Sequence, residues 1–175
     1  MAASPRLVVI GPPGAGKSTI GRLVADRLGV AFADSDDAVE QSAGRSIPDI
    51  FVDDGEAAFR DLERAAVVDL LATAHGVLAL GGGAVLDPRT EDDLSGHAVV
   101  FLDVGIADAA KRVGFATSRP LLAINPRAQW TALMTPRRPV YERVATFRVD
   151  TAGREPDDVV AEVVDQLLRH EGSAP

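Results

Sequence analysis

Continuous apolar runs alternate along this chain with longer stretches in which apolar positions return every three or four residues. Leu7-Val8-Val9-Ile10, Val77-Leu78-Ala79-Leu80 and Ala98-Val99-Val100-Phe101-Leu102 are uninterrupted, as in strands buried on both faces of a sheet. Val30-Ala31-Phe32 and Thr146 to Asp150 are shorter candidates of the same kind. Between them Ile20, Leu23, Val24 and Leu28 keep helical spacing up to a stop at Gly29, and a second helical stretch runs to about Ala43 before Gly44. Ser46 precedes a short helix at Ile47 to Phe51, broken by Asp53-Asp54-Gly55. Phe59, Leu62, Ala66 and Leu70 mark a longer one from Glu56 to about Ala74. Further helices are expected after Pro88, from Ala107 to Val113, from Trp130 to Val144 with interruptions at Pro136 and Pro139, and from Pro156 to Leu168. Gly114 to Arg127 has weak periodicity and reads as a mobile loop. Five strands alternating with helices predict an α/β fold, a parallel sheet covered on both faces, with ligands outside the carboxyl ends of the strands.

The segment after the first strand sharpens this picture. Gly11-Pro12-Pro13-Gly14-Ala15-Gly16-Lys17-Ser18-Thr19 matches the phosphate-binding loop G-x-x-x-x-G-K-[ST] in full, between a predicted strand and a predicted helix. Glycines there let successive N–H groups turn inward around an anion at the positive end of a helix. Lys17 can then reach the terminal phosphates of a nucleoside triphosphate, and the Ser18 hydroxyl can ligate Mg²⁺. Only two lysines occur, Lys17 and Lys111, and one falls at the loop position.

Composition narrows the class. At 175 residues the chain suits one domain, residues 1–175, long enough to bury roughly 70% of its unfolded surface. A net charge of −8 argues against a nucleic-acid footprint. The charges are uneven: acids crowd positions 26 to 69, and half of the 18 Lys and Arg lie between Lys111 and Arg154, as would suit a pocket that draws in anions. Absence of cysteine excludes disulfides and thiolate chemistry. The early apolar run is too short for a signal or membrane segment, so a cytoplasmic protein is expected. Met1 to Ser4 and Glu171 to Pro175 are expected to fray.

Asp34 and Asp36 stand two apart after the second strand; in an extended segment both side chains would point one way, one serving metal and the other substrate, or both would simply cap a helix. Arg60 falls near a helix start, where the dipole disfavours a cation, so an anionic ligand would explain it. Glu63, one turn on, either orients Arg60 or pairs with it in solvent. Gly81-Gly82-Gly83 at a strand end is either a turn or a place of close approach.

Taken together, the phosphate loop, Asp34-x-Asp36, Phe59-Arg60-x-x-Glu63, Gly81-Gly82-Gly83, Arg119-Pro120-Leu121-Leu122 and Arg137-Arg138-Pro139-x-Tyr141 closely resemble shikimate kinase, from Leu7 to about Leu168. The resemblance implies a three-layer P-loop kinase fold with a mobile lid at about 114–127 and an acceptor-binding region at about 34–63. It implies transfer of the γ-phosphoryl group of ATP to the 3-hydroxyl of shikimate, in aromatic amino-acid biosynthesis, with Mg²⁺ as cofactor. ATP and shikimate are the expected partners, with neither nucleic acid nor membrane, and a monomer is expected.

Residue by residue, the resemblance gives Lys17, Asp36 and Arg119 catalytic roles, Asp36 as proposed base and Arg119 as the lid arginine. Gly14, Ala15, Gly16, Lys17, Ser18 and Thr19 would bind ATP with Arg112, Arg119, Arg154 and Pro156, the last flanking the adenine. Ser18 and Asp34 would serve the metal. Arg60 and Arg137 would grip the shikimate carboxylate, helped by the Gly82 N–H, with Gly83 approaching a ring hydroxyl and Gly81 also in the acceptor site; paired planar donor forks suit a carboxylate. Phe51, Phe59 and Pro120 would form the apolar wall of that pocket, with core packing the alternative for the two phenylalanines. Arg138 is expected at the surface, and Asp103, which imitates a metal-binding acid at a strand end, is expected to have no catalytic task. Ser35 replaces a commoner threonine. Gluconate or nucleoside monophosphate kinases of the same fold, and a non-catalytic nucleotide-dependent regulator, are the competing readings.

Overall fold

Strand β1 (Leu7–Ile10) lies in the middle of a five-stranded sheet, and all four of its side chains are at most 1% exposed. Because neighbouring strand residues face opposite ways, burial of every residue means that both faces are covered. The sheet runs β2 (Phe32–Asp34), β3 (Val77–Ala79), β1, β4 (Val99–Asp103), β5 (Phe147–Asp150), with every pairing parallel. The computed structural model describes residues 4–113 and 125–174, the side chains of 110–113 and 126 excepted. Among the described residues no helix is long and apolar enough to cross a membrane.

The connections are helices α1 (Lys17–Leu28), α2 (Ser35–Ala43), α3 (Ile47–Asp53), α4 (Gly55–Thr73), α5 (Pro88–Asp93), α6 (Ile106–Val113), α7 (Pro126–Val144) and α8 (Pro156–Gly172), with a 3-10 turn at Ala84–Leu86. The main core joins the strands to Ile20 and Val24 of α1, Val67 and Leu71 of α4, Tyr141 of α7 and Val163 and Leu167 of α8. Val39, Ile50 and Phe59 form a smaller second core that fastens α2, α3 and α4 together.

Several boundaries differ from the sequence expectation for identifiable reasons. Val30 does not enter β2, because its N–H closes α1 by donating to Ala25 O at 3.0 Å. Helix α7 is continuous through Pro136 and Pro139 and begins at Pro126, so the loop expected to reach Arg127 stops sooner. Asn125 caps it, accepting from Ala128 N, and Trp130, Met134 and Tyr141, at most 7% exposed, hold it on the core. That burial outweighs the backbone hydrogen bonds lost at two prolines. The expected fraying from Glu171 on is corrected as far as Gly172, whereas Met1 to Ala3 and Pro175 lie outside the described residues. Helix α8 runs to Gly172, and Arg6 donates to both oxygens of Glu171, at 2.7 and 2.9 Å. Ser4 Oγ lies 3.2 Å from His97 Nδ1.

Candidate active site

At the carboxyl end of β1, Gly14 and Gly16 take left-handed backbone conformations (φ 79° and 83°), open to glycine at little cost, and α1 starts at Lys17. The N–H groups of the first helical turn therefore border the loop. Lys17 Nζ donates to Pro12 O at 3.0 Å, so its charge is folded back over the loop. A cavity of about 580 Å³ lies here, walled by Pro13 to Ile20, Asp34, Asp36, Leu80, Thr151, Arg154, Pro156 and Val159. Gly14, Ala15, Gly16, Lys17, Ser18, Thr19, Arg154 and Pro156 thus sit together, as expected of a nucleotide site. Thr151 was missed by sequence reasoning; it is buried, and both its N–H and its hydroxyl donate to Asp103 O. Its place directly after β5 was the available signal. The Arg154 guanidinium is held by Glu162 Oε2 (2.6 Å) and Asp150 O (2.8 Å).

The two aspartates meet this cavity differently than an extended segment would allow. The strand ends at Asp34 and α2 begins at Ser35, so Asp36 is already helical. Asp34 is the cap: its Oδ1 accepts from Asp36 N at 2.9 Å, and its Oδ2 accepts from Ser18 Oγ at 2.6 Å. Capping and a bridge to the phosphate loop are thus combined in one carboxylate, and both aspartates still line the cavity. Between them, Ser35 is fully buried and its Oγ accepts from Gly81 N at 2.9 Å, a role that sequence reasoning did not assign.

The triple glycine is a place of close approach. A Cβ built on Gly81 would stand 2.7 Å from Asp36 Oδ1 and 2.9 Å from Glu63 Oε2. On Gly82 it would stand 3.1 Å from Arg137 Nη1 and 3.4 Å from Pro13 Cδ, and on Gly83 2.6 Å from Arg60 Nη1. Three consecutive residues without side chains thus let two carboxylates and two guanidiniums crowd this strand end, and Gly82 also meets Pro13 of the phosphate loop. Arg60 Nη1 donates to Glu63 Oε1 at 2.7 Å, and Glu63 is only 4% exposed, so the pairing is not in solvent and the acid fixes the guanidinium. Four of the six main-chain N–H and C=O groups of these glycines are used, Gly81 N by Ser35. Gly81 O accepts from Ala84 N, Gly82 O from Tyr141 Oη and Gly83 O from Leu86 N. The N–H groups of Gly82 and Gly83 have no partner among the described residues.

Phe59 is core, 5% exposed, whereas its neighbour Phe51 is 38% exposed, with ring centroids 4.7 Å apart. Arg138 is not a plain surface residue: it donates to both oxygens of Asp103, at 2.9 and 3.0 Å, and lies over the Phe101 ring. Asp103 also pairs with Arg148 at 3.2 Å, so this strand-end acid is committed to structure. Arg119 and Pro120 lie outside the described residues, and Arg112 falls in α6 with its side chain outside them.

Comparison with known proteins agrees with this arrangement. The sequence model described as "Shikimate kinase" matches residues 13–168. The shikimate kinase of Thermobifida fusca is 51% identical over 167 residues, 95% of this chain and 97% of that one. That of Streptomyces avermitilis is 53% identical over 163 residues, covering 93% and 95%. Among solved structures, shikimate kinase from Acinetobacter baumannii in complex with shikimate superposes with a TM-score of 0.89 at 33% identity, covering 95% of this chain and 94% of that one. A gluconokinase from Sinorhizobium meliloti, at 21% identity and a TM-score of 0.57, shares the fold alone. With matches of this extent to sequence and structure alike, the chain belongs to the shikimate kinase family.

Proposed function

We propose that this protein transfers the γ-phosphoryl group of ATP to the 3-hydroxyl of shikimate, giving shikimate 3-phosphate and ADP, as a step of aromatic amino-acid biosynthesis. The observation that carries the reading is the contact of the triple glycine with Asp36, Arg137, Arg60 and Pro13 in turn, which sets an anion-binding clamp beside the phosphate loop. Arg60 and Arg137 take the acceptor's carboxylate, with the Gly82 N–H between them. That grip leaves a hydroxyl of the ring to face Asp36 and the nucleotide cavity. Lys17 leaves the Pro12 carbonyl for the phosphates, offsetting charge as it spreads in transfer. In the step itself the acceptor oxygen bonds to the γ-phosphorus, the bond to the β,γ-bridging oxygen breaks, and Asp36 receives the hydroxyl proton.

Ser18 Oγ and Asp34 Oδ2 present a hydroxyl and a carboxylate side by side at the cavity wall, the hard oxygen donors that Mg²⁺ takes alongside phosphates. Ser18 and Asp34 would hold that ion, which would neutralise charge on the β- and γ-phosphate oxygens. Arg112 and Arg119 are assigned to the adenine and to the closing lid at about 114–127 on the resemblance alone.

Purified protein with ATP, Mg²⁺ and a panel of shikimate, gluconate and nucleoside monophosphates tests the reading. Shikimate should be the only rapid acceptor. Faster turnover of another member of the panel would overturn the acceptor assignment and leave the phosphate-loop assignment standing.

A further inference from the structure

Arg137 and Tyr141 are one helical turn apart on α7, share a face, and both end on Gly82. Tyr141 is fully buried, its ring 5.1 Å from that of Phe101 and tilted by 29°. A phenylalanine would fill that space equally well, so packing does not explain the hydroxyl, which donates to Gly82 O at 2.5 Å. No described peptide bond is cis, so the carbonyl of Gly82 and the N–H of Gly83 point in opposite directions across one plane. Drawing the carbonyl toward α7 therefore turns the Gly83 N–H away from α7. Gly83 is the residue against which the Arg60 guanidinium lies. Three glycines in a row have little intrinsic preference for any one backbone path, and a fixed direction here needs an outside tether.

We propose that Tyr141 is a positioning residue for the acceptor: through the Gly82 carbonyl it aims the Gly83 N–H so that this donor joins Arg60 and Arg137 around one carboxylate. The inference rests on the reading of Gly81 to Gly83 as the acceptor wall. The tyrosine touches neither substrate and acts only on how well the anion is held, so its loss should fall on acceptor binding and spare the transfer step.

Wild-type turnover of shikimate is read first; its absence would sink the acceptor reading and this inference with it. Given that turnover, Tyr141→Phe removes one oxygen and keeps the ring. Its shikimate Kd by calorimetry, and its KM, should rise roughly 5- to 20-fold, the scale of one hydrogen bond in a partly buried site. The kcat and the KM for ATP should stay within about twofold of wild type. Shikimate affinity unchanged within twofold, or parallel losses in kcat and ATP binding, would overturn the positioning role alone. Phe101→Leu loosens the ring but keeps the hydroxyl, and should lower Tm without a matching loss of shikimate affinity. An equal loss in that variant would assign the effect to packing and overturn the proposal.

Discussion

Adding a single methyl group at Gly83 probes the proposed acceptor wall at its tightest point. Gly83→Ala would set a carbon 2.6 Å from Arg60 Nη1, and the yielding partner is the end of a flexible side chain. The fold should survive while Arg60 is displaced, so shikimate Kd should rise about tenfold or more, toward the 2 to 5 kcal/mol lost by truncating a buried charge partner. Calorimetry with shikimate and with ATP separates the two sites, and ATP affinity should barely change. Lys17→Met should leave folded protein with kcat lowered on the order of 100-fold or more, and a variant within threefold of wild type would remove Lys17 from the mechanism. The motifs holding these residues stood out in the sequence because each carries a charge or a glycine at a set spacing. Ser35 and Tyr141 were not legible in their roles, since each acts on a backbone group of a residue 46 or 59 positions away, and such a pairing has no local pattern.

At the scale of an element, α7 places two adjacent arginines on diverging faces, Arg137 toward Gly82 and Arg138 toward Asp103. The acid at the end of β4 therefore anchors the helix that carries Arg137, half of the proposed acceptor clamp. Asp103→Asn keeps the shape but leaves the Arg138 and Arg148 guanidiniums short of a charge. With both arginines more than a third exposed, about 2 kcal/mol is expected after allowing for solvent screening, or a fall in Tm of about 4–8 °C by thermal melting. An unchanged Tm would deny the anchor. Helix ends and buried strands followed from capping residues and apolar runs, as at Gly44 and at Ser46, whose side chain accepts from Asp49 N. The prolines of α7 misled because propensity is local, whereas Trp130 and Tyr141 are held by strands from elsewhere in the chain.

Across the whole molecule, an ion pair closes the ring of elements where Arg6 meets Glu171. The Arg6 hydrogen bond holds the Glu171 carboxyl below its ordinary range. A carboxyl depressed in the folded state adds stability above its unfolded pKa and loses it as pH falls through the folded one. Both side chains are about a third exposed, so Arg6→Ala should cost about 0.5 kcal/mol at neutral pH, or about 1–2 °C in Tm. Melts at falling pH should show the gap between wild type and variant closing below about pH 4. The central place of β1 bears on how the chain is made. Its partners are Val77 opposite Leu7 and Val99 opposite Val8, separations of 70 and 91 residues. The phosphate-loop strand is thus translated ahead of both its neighbours, and its β4 edge waits unpaired until more than half of the chain has been made. Loop closures of that span slow folding, and the waiting apolar strand is the segment that a holding chaperone would recognise on the nascent protein.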